Sequence, residues 1–506
     1  MQTSYAVLLL VTLYIFKRWA NARSTGPKPP GPSAWPVIGN LLDMPKEKEW
    51  ETFGEWARKW GDIVSVSVAG RTIIILNSAQ EAVEMLEGRG SIYSDRPTIP
   101  IADLVGWSNS PSIAPSKSEI WKQGRKFFHQ LFGTNVSVAR FIPVEEQETQ
   151  KLLVRLLADS ENLSENIRMT TVAVIMRIAY GYHVESIDDP FIKSAELVLE
   201  QFSYAISPGR LLVNLIPALK YLPEWAPGGS FKRQARIWTA TLDDAVERPH
   251  SFAKKQMALG IAEDSCTSRL LEDNGGETID PGIEFNIKWI GVTTYMAATD
   301  TTMVSIHAFF MAMILYPECQ KRAQAELDAV VGNSRLPQNA DRDSLPYLHA
   351  LTLEVMRWHS VSPLGFMHTV SEDDTYKGHF IPRGSMIMAN IWAMTHDPAI
   401  YRDPMTFNPD RFLASPGHTP EPDPRQVVFG FGRRICPGRL LADISVFLSC
   451  AMSLSVFDIS PHIENGVPVL PIQDQLPGIV SHPPPFKCTI KPRSEAAIAL
   501  IQSTSS

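Results

Sequence analysis

The sequence predicts a mainly α-helical protein with a minor β part, gathered into one large unit behind an N-terminal membrane segment. Three observations carry that expectation. Beyond residue 115 most long stretches repeat their apolar residues at helical spacing. Strand-like runs are confined to residues 64–76, to 381–391 and to the region after Val467. No Gly/Ser linker, charge block or internal repeat divides the chain after residue 40. The expected division is an anchor over 1–22, a proline-rich hinge over 23–40 and a single globular unit over 41–506.

Met1 to Phe16 carries no charge, and Lys17, Arg18 and Trp19 follow directly. Sixteen uncharged residues fall short of the roughly 20 that span a bilayer, a deficit that snorkelling of Lys17 and Arg18 and local thinning can cover. A cleaved signal peptide is the rival reading, helped by Ala20-Asn21-Ala22. Here, however, the positive charge follows the apolar run, whereas a signal peptide carries it in front. The positive-inside rule then places everything after Phe16 in the cytosol, where the sequons at Asn135 and Asn162 go unused. In Gly26 to Asn40, "GPKPPGPSAWPVIGN", five prolines and three glycines stop helix from running out of the membrane, and the stretch reads as a spacer.

With 506 residues, 44% of them hydrophobic, the chain has ample material for a core. Its net charge of −7 argues against general attraction to nucleic acid, and no zinc-finger spacing occurs. Five scattered cysteines, Cys266, Cys319, Cys436, Cys450 and Cys488, are too few to staple a chain of this size and fit a reducing compartment.

Val64 to Val68 alternates, Ala69-Gly70-Arg71 supplies a turn and Thr72 to Leu76 is β-branched, so the pair predicts a hairpin. Ser78 and Glu81 stand at capping-box spacing before a helix that Gly88 would end. The least typical helix is expected from about Phe285 to Tyr316, stopped by Pro317. At 1.5 Å per residue it would run roughly 45 Å, enough to cross a domain. In its middle lies "AATDTT", Ala297 to Thr302. Threonine back-bonding and a basic partner for Asp300 would explain that polarity without function. The functional alternative sets a small-residue gap at Ala297 and Ala298 beside proton-carrying groups at Asp300 and Thr301, facing a cavity.

In "VVFGFGRRICPGRLLAD", Val427 to Asp443, Cys436 precedes Pro437, Gly438 and a run with helical spacing. A thiol at a helix N-terminus should ionise readily. It can then be a nucleophile, a zinc ligand or an axial ligand to haem iron, and an inert buried cysteine is the bland alternative. Nucleophilic catalysis lacks a local cysteine-protease signature, and zinc lacks flanking ligands. A haem needs one thiolate and a hydrogen-bonding loop. Gly430, Gly432 and Gly438 let backbone approach a flat macrocycle, Phe429 can wall the sulfur side, and Arg434 can hold a propionate.

Phe429-Gly430-x-Gly432-x-Arg434-x-Cys436-x-Gly438 resembles the haem-thiolate loop of the cytochrome P450 family at every key position, and the resemblance extends over most of the chain, from the anchor and proline hinge to the C-terminal strands. It implies a P450 fold over 41–506, heme b as cofactor and Cys436 as the iron ligand. Glu354 and Arg357 in "LTLEVMRW" resemble the family's E-x-x-R helix signature, and Arg411 in "FNPDRF" its third ion-pair member, together a structural lock. Trp121 and Arg125 in "WKQGR" resemble the W-x-x-x-R helix that touches a propionate, and His368 sits where a further propionate partner is common. Many relatives carry proline before that histidine; this chain has Met367. Ala297 to Thr302 resembles the oxygen-activation motif, with Ala298 in place of the usual glycine, which makes Asp300 and Thr301 the expected proton donors during cleavage of dioxygen.

The resemblance further implies that Ser94 to Ser110, the segment near Phe202 to Leu215, Ser362 to Phe366 and Gly478 to Val480 line a substrate pocket. Val361, Leu364, Phe366, Ile479 and Val480 point to a lipophilic small molecule. "LIPALKYLPEWAPGGSFKR", Leu215 to Arg233, is most similar to fungal P450s of secondary metabolism. No G-x-G-x-x-G fingerprint follows a strand, so electrons derived from NADPH are expected from a separate NADPH-cytochrome P450 reductase. Arg433, Arg439, Lys122 and Lys126 would steer that acidic partner at the face of the endoplasmic reticulum membrane. A monooxygenase is the leading expectation. A peroxygenase, isomerase or dehydratase on the same scaffold and a non-catalytic haem carrier are the alternatives.

Overall fold

The computed structural model describes residues 26–503 apart from 69, 187 and 207–209, so the expected anchor lies outside the described residues. Helix α1 (Glu49–Trp60) leads into strands β1 (Ile63–Val68) and β2 (Arg71–Leu76), which pair antiparallel with Val66 opposite Ile73, as the alternation predicts. The capping box at Ser78 does not form. Glu81 turns inward and accepts from the Tyr376 hydroxyl and Lys377 instead. The short helix that follows continues to Gly88 as a π-helical turn.

Helices then dominate: α2 (Pro100–Val105), α3 (Glu119–Phe132), α4 (Ile142–Ala158), α5 (Leu163–Tyr180), α6 (Pro190–Ile206), α7 (Phe231–Ala258) and α8 (Cys266–Asp273). The long helix α9 (Pro281–Leu315) starts four residues before its expected position. Asp280 accepts hydrogen bonds from the N–H groups of Gly282 and Ile283, and Pro281 takes the first position, where its missing N–H costs nothing. Pro317 ends α9 as expected and opens α10 (Pro317–Val330). α9 is buried on nearly all sides and packs on α3, α5 and α12 (Arg439–Val456). Length and apolarity would let both α9 and α12 cross a bilayer, but both are core helices.

After α11 (Pro346–Trp358) the chain forms β3 (His368–Thr369), the hairpin of β4 (Asp374–Tyr376) and β5 (His379–Ile381), and β6 (Met386–Ala389). β6 joins β2 in parallel and β3 antiparallel, giving a sheet in the order β1-β2-β6-β3. α12 (Arg439–Val456) runs straight into β7 (Phe457–Glu464), a strand outside the runs expected from the sequence, with no turn residue between helix and strand to mark it. β8 (Val467–Val469) and β9 (Cys488–Pro492) flank β7, and α13 (Glu495–Ser503) closes the chain.

The proline-rich segment is more than a spacer. Prolines have no N–H to offer, but their carbonyls serve as an acceptor edge. Pro30 accepts from the Ser65 amide at 2.8 Å, Pro27 from the Phe380 amide at 2.7 Å and Pro29 from the Ser65 hydroxyl at 2.8 Å. A side chain at Gly31 would place its Cβ 2.1 Å from the Ser65 carbonyl oxygen, so only glycine allows this strap to lie on β1.

Candidate functional site

The loop before α12 is built by backbone. The Phe429 carbonyl accepts the Cys436 N–H at 2.8 Å, and a 3-10 turn at Gly432–Arg434 carries the chain between them. Gly432 adopts φ +55°, and a Cβ there would lie 2.3 Å from the Leu86 carbonyl oxygen, so this glycine docks the loop onto the π-helical turn. Gly430 and Gly438 instead face open space. Cys436 stands two residues before the N-cap, Gly438. Burial raises its thiol above the ordinary value, against the lowering effects of the Gly438 N–H, Arg125 and Arg439. The expected ready ionisation is therefore not supplied by the helix terminus alone, because desolvation outweighs it.

Beside this loop, four basic side chains converge. Arg434 donates from Nε to the Ser94 carbonyl at 2.8 Å, from Nη1 to Pro111 at 3.1 Å and from Nη2 to Ala114 at 2.6 Å, with its guanidinium 5.2 Å from the Trp121 ring centre. Arg125, one turn after Trp121 on α3, donates to the Ile435 carbonyl at 2.8 Å. His368, at the start of β3, meets the Tyr93 carbonyl through Nδ1 at 2.8 Å. Arg96 is the member that sequence reading missed: it donates to the carbonyls of Phe366 and Met367 at 2.8 and 2.7 Å, steadying the residues just before His368. Burial and mutual repulsion push Arg434 down to about 9 and His368 to about 3, and burial pushes Arg96 down to about 10. The nearest carboxylate, Asp95, is engaged by the amide and hydroxyl of Ser116. Trp121 Nε1 is buried without a partner. Cations crowded together with a spare buried donor make a site for an anion.

On α9, the Thr301 hydroxyl donates to the Ala297 carbonyl at 2.8 Å, one turn back. Asp300 meets His482, Oδ1 to Nε2, at 3.1 Å, and both side chains are about one-third exposed, on a stretch where Ala297 is exposed and Ala298, Thr301 and Thr302 are half-buried in an otherwise buried helix. Of the expected pocket residues, Phe366 and Ile479 are exposed, and Val361 and Val480 half-buried. The Ser481 amide donates to the Val361 carbonyl at 2.8 Å and the Ser362 hydroxyl to the Ile479 carbonyl at 3.1 Å, so the two segments run side by side. Leu364 differs from this group: it packs on the small core of Phe53, Val64, Ile73 and Ile75 between α1 and the sheet.

Away from these groups, Arg357 donates twice to Glu354, at 2.7 and 2.8 Å, and Arg411 Nε reaches the same carboxylate at 3.1 Å. All three are sealed from solvent. Glu421, unrecognised in the sequence, accepts from Arg411 at 2.6 Å and brings the cluster to two acids and two bases.

Residues 29–490 match the family model described as Cytochrome P450. The chain is 46% identical over 502 residues to cytochrome P450 monooxygenase 208 of Postia placenta, covering 99% of this chain and 97% of the relative. It is 40% identical to cytochrome P450 monooxygenase claR of Ampulloclitocybe clavipes, covering 97% of this chain and 91% of that one. It is 39% identical to cytochrome P450 monooxygenase COX2 of Coprinopsis cinerea, covering 95% and 92%. Similarity that spans whole chains, on a fold that sets one cysteine in a glycine loop beside an anion site, leads to one conclusion: this chain belongs to the cytochrome P450 family and is a monooxygenase of that family.

Proposed function

We propose that the enzyme binds heme b through the Cys436 sulfur and oxidises a lipophilic small molecule, in fungal secondary metabolism, with NADPH-derived electrons from a separate reductase. The observation that carries this reading is the convergence of Arg96, Arg125, Arg434 and the unpartnered Trp121 Nε1 beside the Cys436 loop. Two propionates are the anions that would complete it, and the open space at Gly430 and Gly438 leaves room for a flat ring against backbone. When bound, the haem supplies dioxygen activation and insertion of one oxygen atom into substrate.

The remaining steps belong to the chain's own residues. Asp300 and Thr301 hold the protons that reduction of dioxygen consumes, at the carboxylate and at Oγ1. Ala297 and Ala298 keep the helix surface low beside them. Val361, Phe366, Ile479 and Val480 contribute apolar surface that orients substrate and excludes water. Glu354, Arg357, Arg411 and Glu421 fix the 395–421 segment that leads to the cysteine loop. Lys122, Lys126 and Arg433 are exposed and Arg439 half-buried, in keeping with docking of an acidic flavoprotein. Attachment to the endoplasmic reticulum through Met1 to Phe16, with the catalytic domain in the cytosol, is supported by the charge order after that segment. Leu212, Ile216, Tyr221 and Trp225, all exposed ahead of α7, add apolar surface that suits a bilayer face.

The test is spectral and then chemical. The Cys436→Ser variant should lose the red-shifted Soret band of the reduced carbonyl complex, and a screen of metabolite extracts for a spin shift should identify substrate. Oxidation of that compound must depend on NADPH and reductase. Turnover without them would replace this reading with a peroxygenase, isomerase or dehydratase.

A further inference from the structure

The 476–482 loop is a closed clip. The Leu476 amide donates to the His482 carbonyl at 2.8 Å, and the Ser481 hydroxyl donates to the Leu476 carbonyl at 2.8 Å. One side of the clip is pinned to the segment after α11: the Ser481 amide reaches the Val361 carbonyl, and His359 Nε2 meets the Ser481 carbonyl at 2.8 Å. The other side is tied to α9, among the described residues, by the side-chain contact of His482 with Asp300. Ile479 and Val480 ride on the clip between these ties, with Ile479 45% exposed.

Two more imidazoles lie near. His307 stacks on Phe486 at 4.6 Å, and burial holds it near 4; burial likewise holds His359 near 4. Their rings are engaged elsewhere, His307 on Phe486 and His359 on the Ser481 carbonyl, and it is His482 that meets the carboxylate. Asp300 is thus committed through its side chain to a loop almost two hundred residues further along, rather than to its helix neighbour Thr301, whose hydroxyl is turned back to Ala297.

We propose that His482 is a positioning residue for Asp300: it latches the Ile479–Val480 loop to α9 and sets the direction of the carboxylate, so that loop position and proton supply are coupled. This rests on the reading of Asp300 as a proton-carrying group. A substrate that presses on Ile479 or Val480 moves the clip, lengthens the His482–Asp300 contact and frees the acid to turn toward Thr301. The pair therefore makes proton supply respond to occupancy of the pocket.

The latch is read without turnover by hydrogen exchange at the Leu476 and Ser481 amides of the purified holoenzyme. His482→Phe and Asp300→Asn should each speed exchange by about fivefold, as expected from loss of one partly exposed polar side-chain contact, and the double variant by no more than either alone. His482→Gln, which keeps a donor, should stay within about twofold of the native rate. The functional arm compares NADPH consumption with reductase in H2O and D2O. His482→Phe should change the solvent isotope effect as Asp300→Asn does, with no further change in the double variant and a native value in His482→Gln. Unaltered exchange in both single variants, or effects that add in the double variant, would overturn the latch. An intact exchange cycle with an isotope effect indifferent to both residues would instead overturn the role of Asp300 and leave His482 purely structural.

Discussion

Glu354 receives Arg357 through both carboxylate oxygens, at 2.7 and 2.8 Å, with neither side chain exposed to solvent. Arg357 spends its other N–H groups on the carbonyls of Thr395, Pro404 and Thr406. Arg357→Met removes one charge of a buried set and takes a donor from three carbonyls, of which Thr406 keeps another from Arg411. The expected loss is about 3–5 kcal/mol, enough to abolish most soluble holoprotein. Arg357→Lys should fail nearly as badly, because an ammonium cannot span a bidentate pair and three carbonyls at once. Soluble yield and the Soret-to-protein absorbance ratio check both.

A buried carboxyl predicts how stability varies with pH. Glu145 on α4 accepts the Ser445 hydroxyl of α12 at 2.6 Å, and burial raises it from 4.5 to about 8. Below about pH 4 both folded and unfolded chains hold the proton and burial carries no ionic penalty. Between 4.5 and about 8 the unfolded chain sheds its proton while the folded chain keeps it, so stability falls as pH rises. Glu145→Gln should match the native chain near pH 4.5 and exceed it progressively, by on the order of 3–5 kcal/mol above pH 8. Thermal melts of both proteins across that range decide the matter.

These two clusters also show what a sequence can and cannot carry. Glu354 and Arg357 are three residues apart, so helical spacing alone puts them on one face, and the glycine pattern around Cys436 is equally local. Glu421 is ten residues from Arg411 but lies in an irregular segment where no helical spacing marks the pair. Arg96 escaped because its partner is distant in the chain, Phe366 lying 270 residues away. His482 was hidden for the same reason. Local patterns misled where a tertiary contact outbid them. Glu81 stood at capping distance from Ser78, yet Tyr376 and Lys377 draw it inward. Leu364, expected among the pocket residues, also packs part of its side chain against the core beneath β1, a contact that local sequence does not show. The first turn of α9 is legible in Asp280 followed by proline, a cap signal that apolar periodicity does not carry.

The two glycines flanking Arg434 and Cys436 should separate folding from cofactor retention. Gly432 holds φ +55° with its missing Cβ against Leu86, so Gly432→Ala meets both backbone strain and a clash, at a cost of about 2–4 kcal/mol. Gly438 has ordinary φ and open space around the same position. Gly438→Ala should leave secondary structure and melting of the protein freed of haem unchanged while lowering haem content per chain. Circular dichroism and pyridine haemochrome titration distinguish the two effects.

Trp121 and Arg434 share one task, since the guanidinium lies over the indole and the indole N–H has no protein partner. Trp121→Phe keeps an aromatic face for the arginine and deletes the donor alone. A hydrogen bond to a charged acceptor contributes about 1.5–3 kcal/mol, so haem transfer from the variant to an acceptor globin should run roughly tenfold faster or more. Arg434→Lys loses the three bonds to Ser94, Pro111 and Ala114 that orient the group, and should release haem faster still. Equal transfer rates in native and Trp121→Phe proteins would mean that Nε1 stays unpartnered when haem is bound, and that the anion is held by the arginines alone.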